Sequence, residues 1–331
     1  MSYSQDSWIK EYQSSILNFD DFVSLVKLDS HKKTLSGDEN RNFPFKVTKQ
    51  YAERIRKRDP SDPLLLQIVS KIVSKNYVDL SNNGFSDDPL GEGNLNVGIP
   101  YLKKYNGRAL LLLTGSCAIH CKYCFRQNFS YASRIGMKKL FDAIEKIGKD
   151  RSIEEVILSG GEPLILTNDK LRSILNRISN FKHVSTIRFH TRMPVVFPNR
   201  IDAVLCSIFK EINKNIVIVI HSNHANELDE KVKDCLKELR SCGVTLFNQS
   251  VLLKDVNDNL ESLKILSERL FSCGVIPYYI HMLDQVKGAE KFIVPLKKAK
   301  NLRTGLTNIL PNYLVPKFVK EVPGMKSKIQ I

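Results

Sequence analysis

From residue 108 onward the chain alternates short apolar runs with helical patterns, and this alternation is its strongest architectural constraint. The runs 109–113, 155–158, 184–189, 215–220, 244–248 and 275–280 have strand length and are apolar almost throughout, as strands buried on both faces must be. Between them apolar residues recur at helical spacing, for example Leu140, Ala143, Ile144 and Ile147, or Leu260, Leu263, Leu266 and Leu270. Gly243 and Gly274 stand where a helix should end before the next strand, because glycine takes the left-handed helix-terminating conformation without strain. Six such units predict an α/β fold with a parallel, helix-covered sheet. They are too few for a closed eightfold barrel, so a partial (β/α)6 TIM-type barrel is expected, with its chemistry at the C-terminal strand ends.

The first hundred residues read as short helices joined by loops. Stretches 6–17 and 20–28 are amphipathic, and a third helical run over 64–73 follows Pro60 and Pro63, with Ser61 or Asp62 as N-cap. Residues 82–100 are rich in Gly, Pro, Asn and Asp, hence a loop or linker. The expected organisation is an N-terminal helical region and linker (1–100), the barrel (101–310) and a C-terminal tail (311–331).

Chemistry-bearing residues follow every predicted strand. Three cysteines follow the first, Ser159-Gly160-Gly161-Glu162-Pro163 the second, and His190 and Arg192 the third. His221 and His224 follow the fourth, Gln249 the fifth, and His281 and Asp284 the sixth. In a parallel barrel all of these face one mouth.

Seven cysteines, three of them within eight residues, make a poor disulfide framework and a better metal site. The other four are dispersed, and Cys235 and Cys242 share a helical face with Val232, Leu236 and Leu239, as small core residues do. The net charge of +15 invites a nucleic-acid reading. The basic residues are spread along the chain, however, densest in 46–58 and 297–303, with no aromatic-interleaved stretch. A lysine-rich solvated surface accounts for them, and direct nucleic-acid binding is not expected. No apolar run approaches the roughly 18–20 residues of a membrane span, and the N-terminus lacks the basic and apolar segments of a secretion signal. A cytoplasmic location without membrane attachment is expected.

Cys117, Cys121 and Cys124, spaced by three and two residues, can hold three corners of a [4Fe–4S] cluster and leave one iron open. The same spacing, with His120 as a fourth ligand, is open to a zinc site. Cys-x3-Cys-x2-Cys with an aromatic before the last cysteine, placed after the first strand of a β/α array, resembles the radical S-adenosylmethionine signature. Gly160-Gly161-Glu162 resembles that superfamily's second motif. The segments Tyr105-Asn106-Gly107-Arg108-Ala109-Leu110-Leu111-Leu112, Cys124-Phe125-Arg126, Asn248-Gln249-Ser250-Val251-Leu252-Leu253 and Pro277-Tyr278-Tyr279-Ile280 resemble lysine 2,3-aminomutases, as does the tail from Tyr313 through Lys328.

The resemblance implies an isomerase that moves an amino group from Cα to Cβ of L-lysine, using a [4Fe–4S] cluster, S-adenosylmethionine and pyridoxal 5′-phosphate. It implies Lys328 as the Schiff-base lysine, so the tail must fold over the mouth. Arg126 is implied as partner of the substrate carboxylate, and Asp284 and Glu321 as holders of its ε-ammonium. Arg108 is implied for pyridoxal phosphate; Ser159, Gly160, Gly161, Glu162, His221, His224 and Gln249 for S-adenosylmethionine. Glu321 departs from clostridial-type members, which carry Asp there. The compact tail, Asn259 in place of a zinc cysteine, and His281-Met282-Leu283-Asp284-Gln285-Val286-Lys287-Gly288 resemble the bacterial aminomutases of the elongation factor P β-lysylation pathway. That subgroup implies (R)-β-lysine passed to a separate ligase, a flavodoxin- or ferredoxin-type electron donor, and no stable zinc. The competing readings are another radical S-adenosylmethionine reaction and a basic zinc protein that binds nucleic acid.

Overall fold

The computed structural model describes residues 7–36, 43–71, 84–93, 98–129, 131 and 136–331. Residues 1–6, the end of the expected helix at 72–73, and 82–83 and 94–97 of the expected loop lie outside the described residues.

Among the described residues nine strands form one sheet in sequence order: β1 (Tyr101–Leu102), β2 (Arg108–Thr114), β3 (Glu155–Gly160), β4 (Thr186–Thr191), β5 (Asn215–His221), β6 (Thr245–Val251), β7 (Ile276–His281), β8 (Lys317–Lys320) and β9 (Ile329–Gln330). Strands β2 to β8 are parallel, while β1 and β9 cap the two edges antiparallel. The edges do not pair with each other, yet side chains from β2 through β8 all line one cavity. The sheet therefore curves around that cavity without closing, which is the expected partial barrel. Its six crossover helices are α1 (Met137–Lys149), α2 (Asn168–Ser179), α3 (Ala203–Glu211), α4 (Glu230–Ser241), α5 (Leu260–Ser272) and α6 (Leu296–Ile309).

The apolar stripes behave as the periodicity requires: Leu140, Ala143, Ile144 and Ile147 of α1 are buried against the sheet. Gly243 and Gly274 follow the ends of α4 and α5 with φ of 80° and 75°. Cys206, Cys235, Cys242 and Cys273 are buried. The Cys242 thiol donates to the Glu238 carbonyl at 3.1 Å, packing rather than projecting.

Three features differ from the sequence reading. The parallel sheet has a seventh strand, β8, paired in register with β7 through Ile280 and Phe318. Only four residues long and flanked by lysines, it carries too little apolar pattern to announce itself, although Phe318 is fully buried. The third N-terminal helix is Pro63–Leu66 alone, started by Asp62, whose carboxylate accepts from Leu64 N–H at 2.8 Å and Leu65 N–H at 3.2 Å. It stops because the Gln67 carbonyl, which a continuing helix would need, accepts instead from Lys122 N–H at 2.9 Å. The N-terminal region also contains short strand pairs (Ile16–Leu17 with Val47–Thr48; Leu35–Ser36 with Ser70–Lys71) and shares one continuous core with the barrel. Arg54 fastens it to Asp229 at 2.7 Å and to the Val195 carbonyl at 2.5 Å. Among the described residues no helix is long and apolar enough to cross a membrane.

Candidate active site

The C-terminal strand ends open into a cavity of about 530 Å³. Cys117, Cys121, Cys124, Ser159, Gly161, Glu162, His221 and Gln249 line it, together with Arg108, Arg126, Asp284, Glu321 and Lys328. Residues more than two hundred positions apart thus share one chamber.

The cysteine loop leaves the end of β2 and is held by the N-terminal region: His120 N–H donates to the Lys46 carbonyl, and Lys122 N–H to that of Gln67. His120 itself faces away from the thiols. Its ring stacks on Phe43 at 4.1 Å, and Nδ1 bonds the Pro44 carbonyl at 2.5 Å. The fourth-ligand role that a zinc site would ask of it is therefore unsupported. Burial and the neighbouring thiols push Cys117 well above the usual thiol range and Cys124 up to about 12. Thiols raised like Cys117 and Cys124 become thiolates readily only beside a cation, so the donor set fits a metal cluster.

A buried guanidinium backs the loop. Arg192 Nη1 lies 2.7 Å from Cys121 Sγ and 3.0 Å from the Tyr123 hydroxyl. Its Nη2 donates to Gln67 Oε1 at 2.8 Å and Glu227 Oε2 at 3.0 Å. Asn223 Nδ2 closes the network on Tyr123 at 2.7 Å and on Gln67 at 3.0 Å. Arg192 stood among the strand-end residues, but Gln67, Glu227 and Asn223 had no sequence signal, because their partners come from other elements.

The glycines after β3 are demanded by close packing. A Cβ on Gly160 would sit 2.5 Å from the Thr114 carbonyl oxygen, and one on Gly161 2.3 Å from that of Ser116. Gly161 N–H and Glu162 N–H donate to those same carbonyls at 2.6 and 2.8 Å, tying β3 to the cysteine loop. Gly160 is not itself on the cavity wall; its carbonyl accepts from the Tyr131 hydroxyl at 3.0 Å. The Glu162 carboxylate accepts from Thr191 Oγ1 at 2.5 Å, Arg192 N–H at 2.8 Å and Leu164 N–H at 3.1 Å. It therefore organises the turn as well as facing the cavity.

On the other side, charges alternate in a chain. Arg126 Nε and Nη2 donate to Glu92 Oε2 and Oε1 at 2.7 and 3.1 Å. Lys104 Nζ bridges Glu92 Oε1 and Glu321 Oε1, both at 2.8 Å. Lys328 Nζ takes Glu321 Oε2 at 2.5 Å. Burial raises the Glu321 carboxyl, but Lys328 and Lys104 outweigh it and hold the group at about 2. Asp284 has no ion pair of its own among the described residues, and burial, helped by the Glu321 charge, pushes it up to about 7. Glu92 and Lys104 went unsingled in the sequence: one lies in the loop read as linker, the other in a generally basic chain. Arg108 lines the cavity while paired with Glu155 at 3.3 Å.

The cavity histidines are neutral. Burial, with Arg192 nearby, takes His221 down to about 3; burial, with Lys328 nearby, does the same for His281. His224 stands apart from these two. It does not line the cavity but caps the turn Ala225–Glu227, its Nδ1 accepting from Asn226 N–H at 3.1 Å. It follows the strand by three residues, which carries it past the mouth.

The chain matches the family model described as a 4Fe-4S single cluster domain over residues 106–238. It is 41% identical to the L-lysine 2,3-aminomutase of Buchnera aphidicola subsp. Baizongia pistaciae, covering 99% of this chain and 96% of that protein. To the L-lysine 2,3-aminomutase of Escherichia coli it is 38% identical, over 98% and 94%. To that of Haemophilus influenzae it is 40% identical, over 86% and 84%. Identity at this level, running through the cysteine loop, the barrel and the tail that brings Lys328 into the cavity, is the likeness of a whole enzyme and not of one module. The chain belongs to the L-lysine 2,3-aminomutase family.

Proposed function

We propose that this protein converts L-lysine to (R)-β-lysine by 1,2-migration of the amino group, using a [4Fe–4S] cluster, S-adenosylmethionine and pyridoxal 5′-phosphate. The observation that carries this reading is that three crowded thiols, a lysine, a guanidinium and two carboxylates open on one cavity. When bound, the cluster with S-adenosylmethionine supplies a carbon radical that removes and returns hydrogen, and pyridoxal phosphate carries the nitrogen.

The chain's own residues bind, orient and exclude water. Cys117, Cys121 and Cys124 would hold the cluster, with the Arg192 guanidinium offsetting thiolate charge at Cys121. Ser159, Gly160, Gly161, Glu162, His221 and Gln249 form the wall or the strand-end turn beside the thiols, where S-adenosylmethionine would lie. Lys328 would hold pyridoxal phosphate, with Arg108, at the start of β2, lining the same cavity for its phosphate. Arg126 offers a guanidinium to the substrate carboxylate, and Asp284 with Glu321 offers negative charge to the distal ammonium. Two carboxylates in a largely enclosed site select a long diamino acid over neutral or shorter ones. The neutral His221 and His281 add no positive charge that would repel that ammonium.

The product is destined for β-lysylation of elongation factor P by a separate ligase. The segment from His281 to Gly288 supports this pathway, and a flavodoxin or ferredoxin serves as electron donor. Anaerobically reconstituted protein, given S-adenosylmethionine and a reductant, is expected to turn L-lysine into β-lysine, with Lys328→Ala inactive but retaining its iron. Activity in Lys328→Ala, or zinc without iron and no pyridoxal absorbance in the native protein, would overturn the proposal.

A further inference from the structure

Glu92 is 3% exposed, and both its carboxylate oxygens are engaged by cavity cations. Oε2 accepts from Arg126 Nε, while Oε1 is shared by Arg126 Nη2 and Lys104 Nζ. A carboxylate meeting the Nε edge of a guanidinium in this two-point manner fixes its plane. It also leaves Arg126 Nη1 without a partner among the described residues. The Arg126 guanidinium lies against the Phe125 ring at 4.8 Å, which limits its rotation further.

The loop carrying Glu92 is itself anchored. Asp88 accepts from Glu92 N–H at 2.9 Å and Gly93 N–H at 2.7 Å. Ser86 exchanges backbone bonds with Gln285 and Lys287 at 2.9 and 3.1 Å, immediately after Asp284. One loop thus fastens the guanidinium at one place in the cavity and the segment bearing Asp284 at another.

We propose that Glu92 is a positioning residue for Arg126, presenting the free guanidinium edge to the α-carboxylate of the substrate and thereby setting the preference for a free amino acid over its amide. The proposal rests on the reading that Arg126 meets the substrate carboxylate. It extends that reading to a residue that touches no substrate atom.

The test is the dissociation constant of the cofactor-loaded enzyme for L-lysine and for L-lysinamide, by calorimetry. In Glu92→Gln the guanidinium loses its charged anchor, so lysine should bind about tenfold more weakly while lysinamide changes less than about twofold. A general structural defect would weaken both ligands alike. Lys104→Met leaves the Arg126–Glu92 contact intact and should keep the preference. Arg126→Gln should abolish it. If Arg126→Gln abolishes the preference and Glu92→Gln retains it, the Glu92 proposal is overturned and the Arg126 reading stands. If Arg126→Gln itself retains the preference, both fall. Should Glu92→Gln not fold, Glu92→Asp carries the test. One methylene shorter, it withdraws its carboxylate from the Nε edge of Arg126, and an unchanged preference in it overturns the proposal.

Discussion

Lys328 Nζ lies 2.5 Å from Glu321 Oε2, so a residue at the end of β8 and one just before β9 are held together by charge. The same carboxylate reaches Lys104 at 2.8 Å through its other oxygen. The extra methylene of Glu over Asp gives this side chain the reach to satisfy both ammonium groups. Glu321→Ala would leave two largely buried ammonium groups without their shared partner. Its expected cost is about 1–3 kcal/mol, read from denaturant unfolding of the ligand-free protein. Glu321→Asp should lose less.

Asp284 and Glu321 should respond to pH in opposite senses. Asp284 is raised from 3.8 to about 7, so its contribution is fully present below pH 4 and is lost as pH rises through 7. Glu321 is lowered from 4.5 to about 2, so its contribution is present above pH 4.5 and is lost as pH falls through 2. Asp284→Asn, neutral at every pH, should therefore match the parent near pH 4, become progressively more stable than it up to about pH 7, and hold a constant advantage above that. Thermal unfolding of both proteins across pH 4–8, without substrate, reads this directly. A constant difference would show that Asp284 does not titrate there.

Arg192 backs Cys121 through Nη1, while its Nη2 is held by Gln67 and Glu227. Arg192→Met leaves Glu227, which is fully buried, without its counter-ion. Removing one partner of such a pair costs about 3–5 kcal/mol. Unfolding should shift accordingly, and iron retention after anaerobic reconstitution should fall with it. Iron content unchanged in a folded variant would mean that Arg192 serves the scaffold alone.

Two glycines should respond differently to alanine. At Gly161 the new Cβ meets the Ser116 backbone at 2.3 Å, so β3 and the cysteine loop must separate. At Gly243 the new Cβ meets nothing within 4 Å, and only the positive φ of 80° is unfavourable. Gly243→Ala should cost about 1–2 kcal/mol and leave iron binding intact. Gly161→Ala should cost at least as much, about 1–3 kcal/mol for overpacking, and should lower iron content as well.

His224 gives a check on the cavity boundary. As a cap, it should be replaceable by Asn at little cost, while His224→Ala should lose about 0.5–2 kcal/mol. Neither variant should change the KM for S-adenosylmethionine. A raised KM in His224→Asn would return this histidine to the site.

The six long parallel strands and their helices were legible because their cores are local. Each strand carries its own apolar run, each helix its own stripe, and Gly243 and Gly274 their own terminating conformation. The three cysteines were legible from their short-range spacing, whereas the glycine pair and Lys328 stood out only through their resemblance to family motifs. Strand β8 was not, because its pairing with β7 and not its own four residues makes it a strand. Helix 64–73 was overread because the partner of the Gln67 carbonyl, Lys122, lies 55 positions away.

The sequence by itself determined the order of strands and helices, and which residue types would gather at their ends, because burial period and motif spacing act over a few residues. Only the tertiary structure decided how those residues are paired. Lys104 meets Glu321 across 217 positions, Arg126 meets Glu92 across 34, and Arg192 meets Gln67 across 125. A charge in a sequence has no address until the fold excludes water from it. Once buried, it must find an opposite charge or a hydrogen bond, and in this barrel that requirement fixes Arg126 on Glu92 and joins Lys328 to Lys104 through Glu321.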